Sequence, residues 1–297
     1  MVSKGMERVI GLLKQFQSMT EETSVESTRR GLDQLAAMSK IPEDITFEPV
    51  KINNVEGEWI MAPDVVKNKV LLYLHGGAFV AGSIDTHRDL ISRISRAAEI
   101  KVLAINYRLA PEHPFPAGLD DCFETYKWLM SEKGYKPNNI IIGGDSAGGT
   151  LTLSVLIKLR DQNILLPAAA FCLSPATDMT GSGESYTTKA EVDPFLTPEL
   201  GDLVKENYLK DVDPENPLVS PLFANLHGFP PIYIQVGTSE ILLDDSKRIA
   251  QKLEEANVEV ELDIWEDMVH VFAAFAQFAQ EPKDAIEKIA SFIKKHI

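Results

Sequence analysis

The segment Gly144-Asp145-Ser146-Ala147-Gly148 sets a serine between glycines, directly behind the apolar run Ile140-Ile141-Ile142 and ahead of a helical pattern over 147–161. A serine between a buried strand and a helix matches the nucleophile elbow, G-x-S-x-G. So tight a turn strains the serine backbone. Side chains two residues either side would strike the neighbouring strand and helix, which accounts for the glycines. The helix beginning at Ala147 should aim its free N–H groups and positive dipole end at the reaction centre. A phosphate-binding turn fits less well, because neither G-x-G-x-x-G nor a P-loop lysine can be threaded through Gly143 to Gly149.

A serine hydroxyl is a weak nucleophile until a base takes its proton and a third group orients that base. In the α/β-hydrolase order, acid and then histidine follow the serine. Apart from the terminal His296, only His227 and His270 lie beyond Ser146. His270 falls in a loop just past the strand pattern ending near Trp265, whereas His227 precedes a strand, so His270 is the expected base. Glu240 is the first carboxylate after the strand pattern 232–236 and is the expected acid. Asp244 and Asp245 stand where a helix begins, the usual place of caps and dipole partners. Donors for a developing oxyanion are expected from His75-Gly76-Gly77-Ala78, which matches the H-G-G pattern of lipases and esterases. Gly76, Gly77 and Ala147 are the expected donors, with His75 anchoring the loop. Phe79, Asp145, Val271 and Phe272 are expected to line a substrate pocket.

These groups must be carried by a scaffold. From residue 70 onward, short apolar strands (70–74, 102–107, 140–143, 168–173, 232–236, 258–265) alternate with helical patterns (87–98, 117–133, 147–161, 244–257, 282–296). Such alternation implies a mostly parallel, doubly wound sheet, with ligands at the carboxyl ends of its strands. Every candidate residue falls just past one of those ends. A strand pair, 47–52 and 58–61, comes first. Helical patterns over 6–19 and 24–38 precede it, the second with a capping box expected at Thr23-x-x-Glu26. Residues 178–228 break the rhythm with prolines and one helical piece near 198–209. We expect one domain, with core 41–297 and a cap made from 1–40 and about 178–228.

The 297 residues carry a formal charge of −15, which argues against nucleic acid and anionic membrane surfaces as partners. Cys122 and Cys172 fall in apolar patterns without redox or zinc spacing and read as core fillers. The histidines form no H-E-x-x-H and no close pair, so no metal is expected. Neither a signal peptide nor a membrane-spanning stretch is legible, so a cytoplasmic protein without a membrane anchor is expected. A homodimer is left open.

Taken together, His75–Phe79, Tyr107-Arg108-Leu109-Ala110-Pro111-Glu112-His113-Pro114-Phe115-Pro116-Ala117, Gly144–Gly149 and the His270 loop resemble the hormone-sensitive-lipase family of α/β-hydrolase esterases, bacterial and archaeal members included. The resemblance covers about 70–275. It implies an eight-stranded, mostly parallel sheet flanked by helices, a helical cap, and hydrolysis of short-chain carboxylic esters, a small-molecule substrate, without a cofactor. Many members carry aspartate where this chain has Glu240, although a subset uses glutamate. Arg108 and Glu112 are expected to brace the loop beneath the site. Two alternatives stand beside the esterase: a lactone or amide hydrolase using the same triad, and a non-catalytic ligand-binding protein. The latter is known on this fold as a plant hormone receptor that has lost the histidine; His270 is present here.

Overall fold

The short, nearly all-apolar strands predicted from the sequence form one eight-stranded sheet in the computed structural model, which describes residues 2–19 and 23–297. The strands are β1 (Thr46–Ile52), β2 (Val55–Met61), β3 (Val66–Leu74), β4 (Ile100–Asn106), β5 (Ile140–Asp145), β6 (Ala169–Leu173), β7 (Ile232–Gly237) and β8 (Val260–Trp265). Their order is β1-β2-β4-β3-β5-β6-β7-β8. The β1–β2 and β2–β4 pairs are antiparallel, and every later pair is parallel. Crossovers between parallel strands need helices on both faces, which is why β5, β6 and β7 are buried along their whole length.

The flanking helices are α1 (Lys4–Met19), α2 (Val25–Ala37), α3 (Ile84–Ala98), α4 (Ala117–Ser131), α5 (Ala147–Asp161), α8 (Leu243–Glu255) and α9 (Gln280–His296). Leu119 and Phe123 of α4, Leu151 and Leu156 of α5 and Leu253 of α8 fill one face of the sheet, where Cys122 and Cys172 serve as small apolar groups. Ile91 and Ile94 of α3 and Ile286, Ile289 and Ile293 of α9 fill the other. Each such side chain, fully buried, contributes roughly 1.5–3 kcal/mol from apolar transfer.

Met6, Val9 and Leu13, spaced i, i+3, i+7, make α1 a stripe that joins this second cluster beside Phe275, Ala279 and α9. Helix α2 starts one residue later than the sequence suggested. Its capping box is Ser24 with Ser27 rather than Thr23 with Glu26, because Ser24 is the last extended residue (φ −139°, ψ 167°) and its hydroxyl accepts the Ser27 N–H. Arg29 of α2 donates to the Val80 and Ala110 carbonyls and pairs with Glu112 through both guanidinium nitrogens, at 2.8 and 2.7 Å.

Residues 178–228 hold two short helices, α6 (Ser185–Thr188) and α7 (Pro198–Val204). The single helical piece expected near 198–209 loosens after Val204 into a wider turn, Lys205–Leu209. No helix among the described residues is long and apolar enough to cross a membrane.

Candidate active site

Ser146 sits between β5 and α5 at φ 53°, ψ −121°, a strained backbone for a residue with a side chain. The glycines follow from clearance. A Cβ on Gly148 would lie 1.9 Å from the Leu74 carbonyl oxygen, and one on Gly144 would lie 2.3 Å from the same atom. The elbow is therefore pressed onto the end of β3, where the His75–Ala78 loop begins.

His270 and Glu240 arrive from adjacent strand ends. The loop after β7 is laced to the loop after β8: Ser239 donates to the Met268 carbonyl, Thr238 to that of Trp265, and Asp267 N–H to the Thr238 hydroxyl. Gly237 allows this approach, since a Cβ there would meet the Met268 oxygen at 2.1 Å. Glu240, fully buried, accepts from His270 Nδ1 at 2.8 Å through Oε2. Its Oε1 accepts the Ser174 hydroxyl and the Gly237 N–H, both at 2.8 Å. A carboxylate only accepts, so Nδ1 carries the proton and Nε2 is the nitrogen left to the cavity. Burial works to lower the His270 pKa, but the Glu240 hydrogen bond and charge outweigh it and hold the imidazole above its ordinary 6.5. Asp244 and Asp245 are occupied elsewhere. Asp244 accepts the Ser185 N–H, and Asp245 accepts those of Thr177 and Asp178, so both tie the start of the 178–228 segment to α8. His227 is exposed and bonds the Ala256 carbonyl, away from this group.

The donor loop corrects one expectation. The Gly76 N–H does not face the cavity; it donates to Asp145 Oδ1 at 3.2 Å. The chain then runs through three successive positive φ values, Gly77 (123°), Ala78 (54°) and Phe79 (61°). The N–H groups of Gly77 and Ala78 take no acceptor among the described residues, and neither does that of Ala147 at the start of α5. Gly77, Ala78 and Ser146 line one cavity together. Ala78, not Gly76, joins Gly77 and Ala147 as a candidate donor.

Asp145 lines the same cavity, as expected, but its carboxylate is not free. Besides Gly76 it accepts the buried Tyr73 hydroxyl at 2.7 Å, and its Oδ2 meets His87 Nε2 at 3.3 Å. Burial lowers the His87 pKa, yet Asp145 more than compensates and raises it. Asp145, despite burial, is held low by His87 and Tyr73. His75 is stacked on Tyr107 at 4.2 Å and donates from Nδ1 to the Gly76 carbonyl; burial and the neighbouring His87 push its pKa down to about 3, so it is neutral. It anchors the loop, as expected. Arg108 braces the turn into α4 through Asp121, whereas Glu112 reaches up to α2.

Of the two cavities that meet at Ser146, the larger, about 340 Å³, contains His270 and Val271 and is walled by Leu12 of α1, by Leu32 and Leu35 of α2, and by Phe195, Leu196 and Phe278. A smaller one of about 70 Å³ opens on the other side of Ser146, among Phe79, Met179, Tyr186, Leu196 and Leu242. Phe79 stacks on Tyr208 with 4.0 Å between ring centroids. Phe272 lines neither cavity. It packs into the core against Trp265, because the left-handed turn at Val271 (φ 47°) sends the next side chain inward. Sequence reasoning missed the half-buried His87, which lines the larger cavity beside Asp145, and the buried Ser174 and Asp193 behind the site. Ser174 directly follows β6 at its carboxyl end, a placement that could have flagged it.

Comparison with known proteins agrees with this geometry. A family model described as alpha/beta hydrolase fold matches residues 71–274. A crystal structure of an esterase from the bacterial hormone-sensitive lipase family superposes with a TM-score of 0.95 at 42% identity, covering 99% of each chain. The chain belongs to the hormone-sensitive-lipase family of α/β-hydrolase carboxylic ester hydrolases. Another structure of similar form, EstE5 soaked with p-nitrophenyl butyrate, shares 40% identity over 99% of both chains with a TM-score of 0.94. An esterase of Acinetobacter venetianus is 38% identical over 262 residues, which is 88% of this chain and 86% of that one. The Glu240–His270 pair thus stands on a scaffold shared with esterases from end to end.

Proposed function

We propose that this protein hydrolyses short-acyl carboxylic esters through an acyl-enzyme on Ser146. The observation that carries the reading is the meeting of a strained elbow serine with His270, itself held by a buried Glu240, in one apolar cavity. Ser146 Oγ attacks the ester carbonyl while His270 Nε2 takes its proton. The oxyanion forms against the N–H groups of Gly77, Ala78 and Ala147, and the alkoxide leaves with the proton from His270. Water then adds to the acyl group by the same route and restores the serine.

The leaving alcohol must depart beside His270, and His270 borders only the larger cavity. The alcohol part therefore belongs there, under α1 and α2, and the acyl chain in the small cavity. Residues 1–40 and about 178–228 act as the cap, supplying apolar walls that keep water from the oxyanion. Each added acyl methylene contributes roughly 0.8 kcal/mol only while it finds apolar wall, so specificity should peak at a short chain.

The test is a series of p-nitrophenyl esters from acetyl to decanoyl, run beside intact-mass analysis after fluorophosphonate treatment. We expect a maximum near butyryl and a single adduct on the peptide holding Ser146. An adduct elsewhere overturns the acyl-enzyme. A profile still rising at decanoyl overturns the assignment of the small cavity. Faster turnover of lactones or amides than of any ester would move the substrate class.

A further inference from the structure

One buried carboxylate behind the site takes no part in the scheme above. Asp193, 2% exposed, lies in the 178–228 segment between α6 and α7. Its Oδ1 accepts the N–H groups of Phe195 and Leu196, both at 2.9 Å, and its Oδ2 accepts that of Ile241, also at 2.9 Å. The carbonyl of the same residue accepts from Gln17 of α1. Ile241 immediately follows Glu240. Phe195 places its ring 5.6 Å from that of His270, and Phe195 and Leu196 wall the larger cavity. Asp193 forms no ion pair among the described residues. A carboxylate buried with three backbone donors and no ion-pair partner is costly to keep charged, and the donors that hold it lie on the two segments flanking His270.

We propose that Asp193 is a positioning residue that ties the cap segment to the acid–base pair, holding the Glu240 loop and Phe195 in register with His270 and placing a second negative charge behind the imidazolium. The proposal rests on the reading of Glu240 and His270 given above. Two consequences distinguish it from ordinary packing. The Asp193 charge supports protonated His270, together with Glu240 and Asp145, so its removal lowers the His270 pKa. Burial, partly offset by its backbone donors, in turn pushes Asp193 up to about 6. The ionisable groups facing it are His270 and Glu240; α1 brings only the neutral Gln17. Once protonated, Asp193 can no longer accept all three N–H groups. As pH falls, His270 first loses its capacity as a base, and the loop then loses its clamp.

The wild-type protein alone gives the first readout. The acid limb of log kcat against pH should steepen from slope one toward slope two below about pH 6. In Asp193→Asn the slope should stay at one and the limb should move to lower pH. Misalignment should cost about tenfold to a hundredfold in kcat with KM within about threefold, because displacement of an orienting group falls on the chemical step. Titration of the His270 ring by NMR, assigned by the loss of its signal in His270→Asn, should show the lowered pKa in Asp193→Asn without any substrate. A slope of one throughout in the wild type, or a variant of lower melting temperature with unmoved His270 titration, overturns the proposal. If no ester is turned over at all, the esterase reading fails while the NMR titration still decides the coupling.

Discussion

Asp145 neighbours the nucleophile, yet its carboxylate is taken up by Tyr73, Gly76 and His87, and replacing it should separate two roles. In Asp145→Ala, the Tyr73 hydroxyl, the Gly76 N–H and the His87 ring all lose a buried partner. Stripping one member from a buried charged pair costs about 3–5 kcal/mol. The released Gly76 N–H no longer fixes the turn that presents Gly77 and Ala78, and a misplaced oxyanion donor costs about 10²–10³ in kcat. Asp145→Asn is gentler. Its carbonyl can still accept from Gly76, and its amide can donate to a neutral His87, so the loss should be about 1–3 kcal/mol with a smaller drop in kcat. The substitution also leaves a signature in pH. His87 has a folded pKa raised above 6.5, so the stability it contributes is full below 6.5 and is lost as pH climbs through the folded value. Asp145, held low, acts at the acid end, where its contribution is lost as pH falls through its depressed value. Without the carboxylate charge, burial drives the His87 pKa down and the alkaline loss disappears. Urea unfolding at intervals from pH 6 to 9 should show the wild-type stability falling relative to Asp145→Asn, by up to about 1.4 kcal/mol per pH unit for this one proton. Parallel stability curves with equal kcat in both variants would refute the role assigned to this carboxylate.

Glu240→Gln should lower kcat by several orders of magnitude through the wrong His270 tautomer, whereas Asp244→Asn should mainly loosen the Ser185 contact and cost about 1 kcal/mol of stability; steady-state kinetics and thermal melts on both variants check the contrast. Because the His270 pKa is raised, activity should fall as pH drops through a midpoint above 6.5, read from kcat at saturating ester, and Glu240→Gln should move that midpoint down. Gly148→Ala would force a methyl to within 1.9 Å of the Leu74 carbonyl and should cut soluble yield and labelling of Ser146 by fluorophosphonate. Removing residues 1–38 should uncover Phe275, Ala279 and the other apolar side chains that Met6, Val9 and Leu13 cover, and unwall the larger cavity, seen as dye binding to exposed apolar surface and a flattened preference among alcohol groups.

Most of the scaffold was legible because strands buried on both faces have few options but Ile, Val, Leu and Ala, as at Ile140–Ile142. The elbow and the His270 loop could be read because tight clearance selects glycine and because chain order restricts the histidine. Phe272 was misread because one left-handed residue, Val271, reverses which way its neighbour points, and no local pattern announces that turn. Gly76 and Ala78 were exchanged for a related reason: which N–H faces the cavity depends on a bond to Asp145, sixty-nine positions away. Asp193 and His87 left no trace at all, since a buried polar residue is recognised by its partners, and those partners come from distant strands and helices.

The packing of α1 against the far end of the chain bears on how the protein comes to exist. The Ser3 N–H and hydroxyl both bond Glu281, 278 positions later, and Gly5 lies so close to the Phe278 carbonyl that a Cβ would sit 2.2 Å from it. Helix α1 therefore meets its neighbours around α9 only after the 278 positions that separate Ser3 from Glu281 have been made. Until then its apolar stripe is exposed, the larger cavity lacks a wall, and the loop bearing His270 has no roof. Contacts of such long sequence separation form slowly and leave early intermediates sticky. Nascent chains stalled before residue 270 should thus be inactive and depend on chaperones, and hydrolysis would report that α9 has been made and has met α1.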